Sequence, residues 1–234
     1  MRQLEAEGYI LARYKVNEAD TIYSFFSREH GTMHFVGKGI RKATAKLSGQ
    51  MQPFTRIKIR LVYGRNLNIL VGAQITKHYD LLTISLDAVA VGYRMCEMLS
   101  RCLAEDQPSP PIFTLFEECC TALLQQKEPQ LVNLYFSVRL LHYMGSQPNF
   151  EDIKPAVQYY LDYDTGNITG LRPSSHYGIV PEKVIKLWRI VLVDNITKLQ
   201  KIQNVEELLA KANLLIEKHY EYHYHVQFRS KQIV

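Results

Sequence analysis

Residues 54–63, FTRIKIRLVY, alternate between apolar and cationic side chains and decide the fold of the first third of the chain. Because successive side chains of a β-strand point to opposite faces, the apolar set is predicted to face a core and the cationic set to face outward. The predicted inward residues are Ile57, Ile59 and Leu61. The predicted outward residues are Arg56, Lys58 and Arg60.

Further strand-like segments surround this one, at 9–15, 21–26, 32–36 and 67–79, and turn-forming residues separate them. Five strands in so short a stretch are typical of a small closed barrel such as an OB-fold. We therefore predict an α+β protein with an N-terminal five-stranded OB-fold barrel in residues 1–80 and a mostly helical domain in residues 81–234.

Beyond residue 84 the apolar period becomes helical. The predicted helices lie near 84–104, 112–126, 130–143, 182–193 and 206–222. An irregular insert near 146–180 separates the third helix from the fourth. It contains a predicted hairpin that turns at Asp164-Thr165-Gly166.

Positive charge is concentrated in the first third of the chain. Residues 1–80 carry 13 Lys and Arg against 6 Asp and Glu, a net charge of +7, whereas the whole chain has +5. Such an asymmetry locates a polyanion-binding surface in the predicted barrel.

A basic loop follows the third predicted strand, and no acidic residue occurs between Gly31 and Tyr79. Its cations are Lys38, Arg41, Lys42 and Lys46. We predict that they contact nucleic-acid phosphates, with a solubility loop as the alternative. Arg28 and Arg65, near turns, are weaker candidates, and Arg13 and Lys15 could extend the patch.

The outward stripe of Arg56, Lys58 and Arg60 is a second candidate for DNA contact, because three like charges repel one another unless a polyanion is near. An ordinary solvated strand face is the alternative. Aromatic residues could stack on bases, although most aromatic side chains of a small barrel belong to its core. The candidates are Tyr14, Tyr23, Phe25, Phe35 and Tyr63.

Several segments resemble the RecO recombination mediator family. They are YKVNEAD (14–20), FSREHG (26–31), GKGIRK (37–42), LSGQMQPF (47–54) and the C-terminal run 217–231. The resemblance covers nearly the whole chain and is most specific in residues 14–54. It implies an OB-fold joined to a helical domain, binding of single- and double-stranded DNA, and annealing of complementary strands. It also implies that the protein binds RecR and the C-terminal tail of the single-strand-binding protein and helps to load RecA. The resemblance further implies a cytoplasmic protein associated with the nucleoid.

The chain departs from the family pattern at a four-cysteine zinc site that many members carry after the third helix. Its cysteines are Cys96, Cys102, Cys119 and Cys120, and none follows Cys120. We therefore expect reduced thiols, no zinc and no other cofactor.

Catalytic and membrane functions have little support in the sequence. No nucleophile–base set, phosphate-binding loop or carboxylate cluster stands out, so we predict that the protein is not an enzyme. His219, Glu221 and His223 leave open an alternative, a metal-dependent hydrolase. A second alternative is a generic OB-fold module that binds single-stranded nucleic acid without annealing it. No apolar run approaches the length of a membrane span, which favours a cytosolic protein.

Overall fold

The computed structural model describes residues 3–40, 51–79, 84–149, 153–199 and 205–228. The strands are β1 (Gln3–Lys15), β2 (Thr21–Ser27), β3 (Gly31–Gly37), β4 (Thr55–Val62), β5 (Asn68–His78), β6 (Tyr159–Asp162), β7 (Ile168–Thr169) and β8 (Tyr177–Val180). The helices are α1 (Leu86–Cys102), α2 (Pro110–Leu124), α3 (Pro129–Tyr143), α4 (Glu182–Val193), α5 (Ile196–Leu199) and α6 (Glu206–His223).

The first five strands form a closed barrel in the order β1-β2-β3-β5-β4. β1 is long enough to pair antiparallel with β2 through one half and with β4 through the other. The barrel closes where β3 and β5 run parallel, with Phe35 opposite Asn68 and Val36 opposite Ile69. The predicted α+β class, with a five-stranded OB-fold followed by a mostly helical region, is confirmed.

The barrel interior is filled by the inward side chains that the alternation in β4 predicted. Ile57, Ile59 and Leu61 are each 0% exposed. Two residues outside the strands, Ile40 and Met51, belong to the same buried cluster. The core therefore includes both ends of the connection between β3 and β4.

The first half of β3 is covered by the chain that follows α1. The Thr32 hydroxyl donates to the Ala104 carbonyl at 2.9 Å, and the Asp106 N–H donates to the Thr32 carbonyl at 2.9 Å. Gly31, with φ of +70°, lies so close to Gln107 that a side chain would collide with its backbone. This contact provides hydrogen-bond partners for the half of β3 that does not pair with β5.

The chain divides into two compact units, Met1–Cys120 and Thr121–Lys231. The first contains the barrel together with α1, which packs on β1 and β2 and places Ser100 Oγ 3.1 Å from Ser24 Oγ. The prediction from sequence placed the domain boundary at residue 80, where the barrel strands end. That domain assignment stays a prediction.

The second unit combines α3, α4, α5 and α6 with a small sheet in the order β7-β6-β8. The predicted hairpin is formed by β6 and β7, whereas neither β8 nor the short α5 was predicted. Arg139 of α3 donates to the carbonyls of Val191 (2.9 Å) and Asp194 (2.7 Å) and so caps the end of α4.

Cysteines in the described ranges are free thiols, and burial raises the pKa of Cys102 to about 12. In the part of the chain that the structure describes, no helix is both long and apolar enough to cross a membrane.

Candidate nucleic-acid interface

The connection between β3 and β4 is held at both ends by the barrel core. Ile40 is 5% exposed and Met51 is 0% exposed, and both pack in the barrel cluster. Lys38 is exposed immediately after β3. Arg41, Lys42 and Lys46 lie between the two anchors, outside the described residues. The anchors therefore fix where this cationic segment leaves and rejoins the barrel.

Asp20, at the tip of the β1–β2 hairpin, contacts the first residues of the same connection. Its Oδ1 accepts the N–H of Gly39 at 2.7 Å, and its Oδ2 accepts from the Asn17 amide at 3.0 Å. Gly39 has φ of +65°, a conformation that glycine adopts without strain. The carboxylate thus ties the hairpin tip to the beginning of the basic connection.

The stripe on β4 is not an unbalanced row of cations, and the expectation of uncompensated repulsion was wrong for two of its members. Arg56 Nε lies 2.9 Å from Glu7 Oε1, and Lys58 Nζ lies 3.0 Å from Glu5 Oε2. Both carboxylates come from β1, whose register with β4 puts Glu7 opposite Lys58 and Glu5 opposite Arg60, so each ion pair joins diagonal neighbours. Opposite charges on neighbouring strands stabilise such a pair.

Arg56 also belongs to a polar cluster between the barrel and α2. Its Nη1 donates to Glu117 Oε1 at 2.8 Å, and the Tyr9 hydroxyl donates to the same oxygen at 2.8 Å. The Tyr9 hydroxyl lies 3.0 Å from that of Tyr79. Burial alone would lower the pKa of Arg56, but the negative charges of Glu117 and Glu7 raise it by more. The pKa of Arg56 therefore lies above its ordinary value. We infer a structural role for this guanidinium within the first unit.

Arg60 differs from the other two cations of the stripe. Its exposed guanidinium has no ion pair with any residue that the structure describes. It lies against Gly72 of β5, where a Cβ atom would be 3.0 Å from both Nε and Nη2. Its donors therefore remain available to an anion.

The remaining cationic candidates are separated from one another. Arg28 is exposed in the turn between β2 and β3, at the opposite end of β3 from Lys38. Arg65 is exposed in the turn between β4 and β5. Arg28 and Lys38 therefore do not form one cluster.

The aromatic candidates divide into core and surface residues. Tyr23, Phe25 and Phe35 are buried inside the barrel, where the ring of Phe35 contacts both of the others. Tyr14 and Tyr63 are more than half exposed. Only these two could present a ring to a base.

The histidines considered for a metal are engaged in packing. His219 is fully buried, and its Nε2 is 2.8 Å from the carbonyl of Ser146. Burial is the main cause that lowers its pKa, so the neutral imidazole is favoured. Its ring stacks on His223, and Glu221 accepts from Lys218 at 2.6 Å. Within the described ranges, no group of three His, Cys, Asp or Glu side chains could hold a metal ion.

The fold and its exposed cations are typical of OB-fold proteins that bind nucleic acid. Family models match the chain as "Recombination protein O N terminal" over residues 1–79 and "Recombination protein O C terminal" over residues 85–153. Together they cover more than half of the chain, which belongs to the RecO family.

Curated relatives agree with this assignment. A DNA repair protein RecO from Dehalococcoides mccartyi is 23% identical over 91% of this chain and 87% of that protein. The Listeria innocua protein of the same name is 22% identical over 98% of this chain and 93% of that protein. The Nocardioides protein of that name is 30% identical over 62% of this chain and 61% of that protein.

Proposed function

We propose that this protein is a DNA repair and recombination mediator that binds single- and double-stranded DNA and anneals complementary strands. With RecR it helps to load RecA onto DNA coated by the single-strand-binding protein, in the cytoplasm at the nucleoid. The observation that carries the proposal is the cationic connection anchored in an OB-fold barrel by Ile40 and Met51. Family membership supports the partners.

The proposed activity requires no covalent chemistry. Cations on the barrel neutralise phosphates on two strands, which lowers the repulsion between the strands and raises their local concentration. The cations with this role are Lys38, Arg41, Lys42, Lys46 and Arg60, with Arg28 and Arg65 as peripheral contacts. Arg56 and Lys58 contribute less than the sequence suggested, because their charges are held by carboxylates of the same unit. The helical part of the chain serves as the docking surface for the protein partners.

Arg60 and Lys58 allow a direct comparison within one strand. We expect Arg60→Ala to lower the salt slope of log affinity for single strands by about 0.7, because one phosphate contact is lost. The double variant Glu5→Ala/Lys58→Ala removes an ion pair without changing the net charge and should leave the slope unchanged. Fluorescence anisotropy with a labelled oligonucleotide across a salt series measures both. Equal slopes for Arg60→Ala and wild type would remove Arg60 from the interface.

Annealing of two complementary oligonucleotides, with and without the cognate single-strand-binding protein, tests the proposed function. We expect the protein to accelerate annealing, the acceleration to decline with salt, and part of it to persist on coated strands. Binding without acceleration would contradict the mediator function and favour a generic OB-fold binding module. Acceleration that is lost on coated strands would contradict the proposed partner contact.

A further inference from the structure

One end of the barrel presents a row of apolar side chains on its outer face. Tyr14 of β1 is opposite Ile22 of β2, which is opposite Val36 of β3. Residues opposite one another on antiparallel strands share a face of the sheet. Their neighbours Tyr23 and Phe35 are buried in the core, so the row of Tyr14, Ile22 and Val36 faces outward. Hereafter it is called the Tyr14 face.

Tyr14 is the most solvent-exposed residue of the Tyr14 face. This ring is 52% exposed, whereas Ile22 and Val36 are half-buried. No hydrogen bond or ring contact holds the Tyr14 side chain among the residues that the structure describes. A flat aromatic ring therefore stands beside two aliphatic side chains, with one end of the row open to solvent.

Two cations lie at the same end of the barrel as this face: Lys15 ends β1 and its side chain starts from the opposite face, and Lys38 follows β3. Lys15 is opposite Thr21, and Thr21 is opposite Gly37, the residue before Lys38. Lys15 and Gly37 are therefore two strand spacings apart, about 10 Å. Both lysines are exposed, and neither forms an ion pair within the described ranges. Successive phosphates of an extended single strand could reach both.

The acidic residues closest to Tyr14 and Lys15 in the sequence are Glu18 and Asp20, in the connection between β1 and β2. Asp20 directs its two oxygens at the Gly39 N–H (2.7 Å) and the Asn17 amide (3.0 Å). Its contact with Gly39 holds the hairpin tip beside the residue that follows Lys38. Glu18 is exposed at the tip. Asp20 keeps its negative charge, but it forms no ion pair with Lys15 or Lys38 within the described ranges.

We propose that the Tyr14 face is a contact specific for single-stranded DNA, in which a base stacks on Tyr14 and the flanking phosphates lie against Lys15 and Lys38. Stacking on an aromatic ring needs an unpaired base, whereas phosphate contacts accept duplex and single strands alike. The site distinguishes separated strands from the annealed product. This inference rests on the proposed function, because it divides the DNA affinity into a stacking part and an electrostatic part.

Tyr14→Ala tests the inference by anisotropy with a labelled thymidine oligonucleotide and with a duplex of equal length. We expect single-strand affinity to fall about tenfold at unchanged salt slope, with duplex affinity unchanged. Tyr14→Phe should bind like wild type, because the ring is retained. Lys15→Ala should instead lower the single-strand slope by about 0.7. Thermal melting of each variant should match wild type, since these side chains are exposed.

Tyr143→Ala is the matched control, because Tyr143 is an exposed tyrosine of α3 in the second unit, and it should change neither affinity. Equal single-strand affinities of Tyr14→Ala and wild type would overturn the inference and leave the proposed function intact. An equal loss on both forms of DNA would also overturn it, because stacking cannot act on a duplex. Absence of DNA binding by the wild-type protein would overturn the proposed function itself.

Discussion

Replacing Lys38, Arg41, Lys42 and Lys46 together by alanine should weaken single-strand DNA binding about 100-fold near physiological salt. The salt slope of log affinity should fall by about 3, because each lost phosphate contact removes about 0.7. The loss should be similar for oligonucleotides of different sequence, since contacts with the backbone carry no sequence information. Annealing should fall with binding. Anisotropy titrations at several salt concentrations, with an annealing assay on the same samples, measure these changes.

A matched variant separates the position of these charges from their number. Lys154, Arg172, Lys183 and Lys211 are exposed cations of the second unit. Their joint replacement by alanine changes the net charge by the same amount and should weaken binding far less. Similar losses for the two quadruple variants would show that only net charge matters. An unchanged affinity of the first variant would remove the basic connection from the interface.

The barrel could be predicted from the sequence because its main signal is local. The alternation in β4 is contained in a few consecutive residues, and the buried state of Ile57, Ile59 and Leu61 follows from it. The turns between strands are equally local, which is why the strand positions agree with the structure to within a few residues, apart from the earlier beginning of β1.

The electrostatic state of the stripe could not be predicted, because it depends on strand pairing. Glu5 and Glu7 are about fifty residues from their partners in the sequence and become neighbours only through the register of β1 with β4. Counting acids along the chain missed them. Glu117 reaches Arg56 because α2 packs against the barrel, and that contact is also long-range.

The division between buried and exposed aromatics has a similar origin. Tyr14 and Tyr23 lie on neighbouring strands, but Tyr14 points outward at an open end of the barrel and Tyr23 points into the core. The anchors Ile40 and Met51 were also missed, since both lie in turns or loops and carry no strand period. Their apolar character next to a cationic segment was the signal that could have identified them.

Replacing Arg56 by methionine should lower the free energy of unfolding of the first unit by about 2 kcal/mol. The variant leaves Glu7 and Glu117 without their shared cation, although Glu117 keeps the bond from Tyr9 and Glu7 keeps the bond from Thr76. Its cost is below that of a fully buried pair, because the Arg56 side chain is 31% exposed and solvent screens the charges. Chemical denaturation monitored by fluorescence or circular dichroism measures the change.

Lys58→Met is the control that makes this test specific, because it removes a cation from the same strand and the same face. The Lys58–Glu5 pair is about half exposed, and such pairs contribute less than about 1 kcal/mol. Adding Glu117→Gln to Arg56→Met should recover part of the lost stability, since the amide still accepts from Tyr9 and carries no charge to leave unpaired. Equal destabilisation by Arg56→Met and Lys58→Met, or no recovery in the double variant, would contradict a structural role for Arg56. The guanidinium would then be a surface cation like Arg60 and would have to be counted among the DNA contacts.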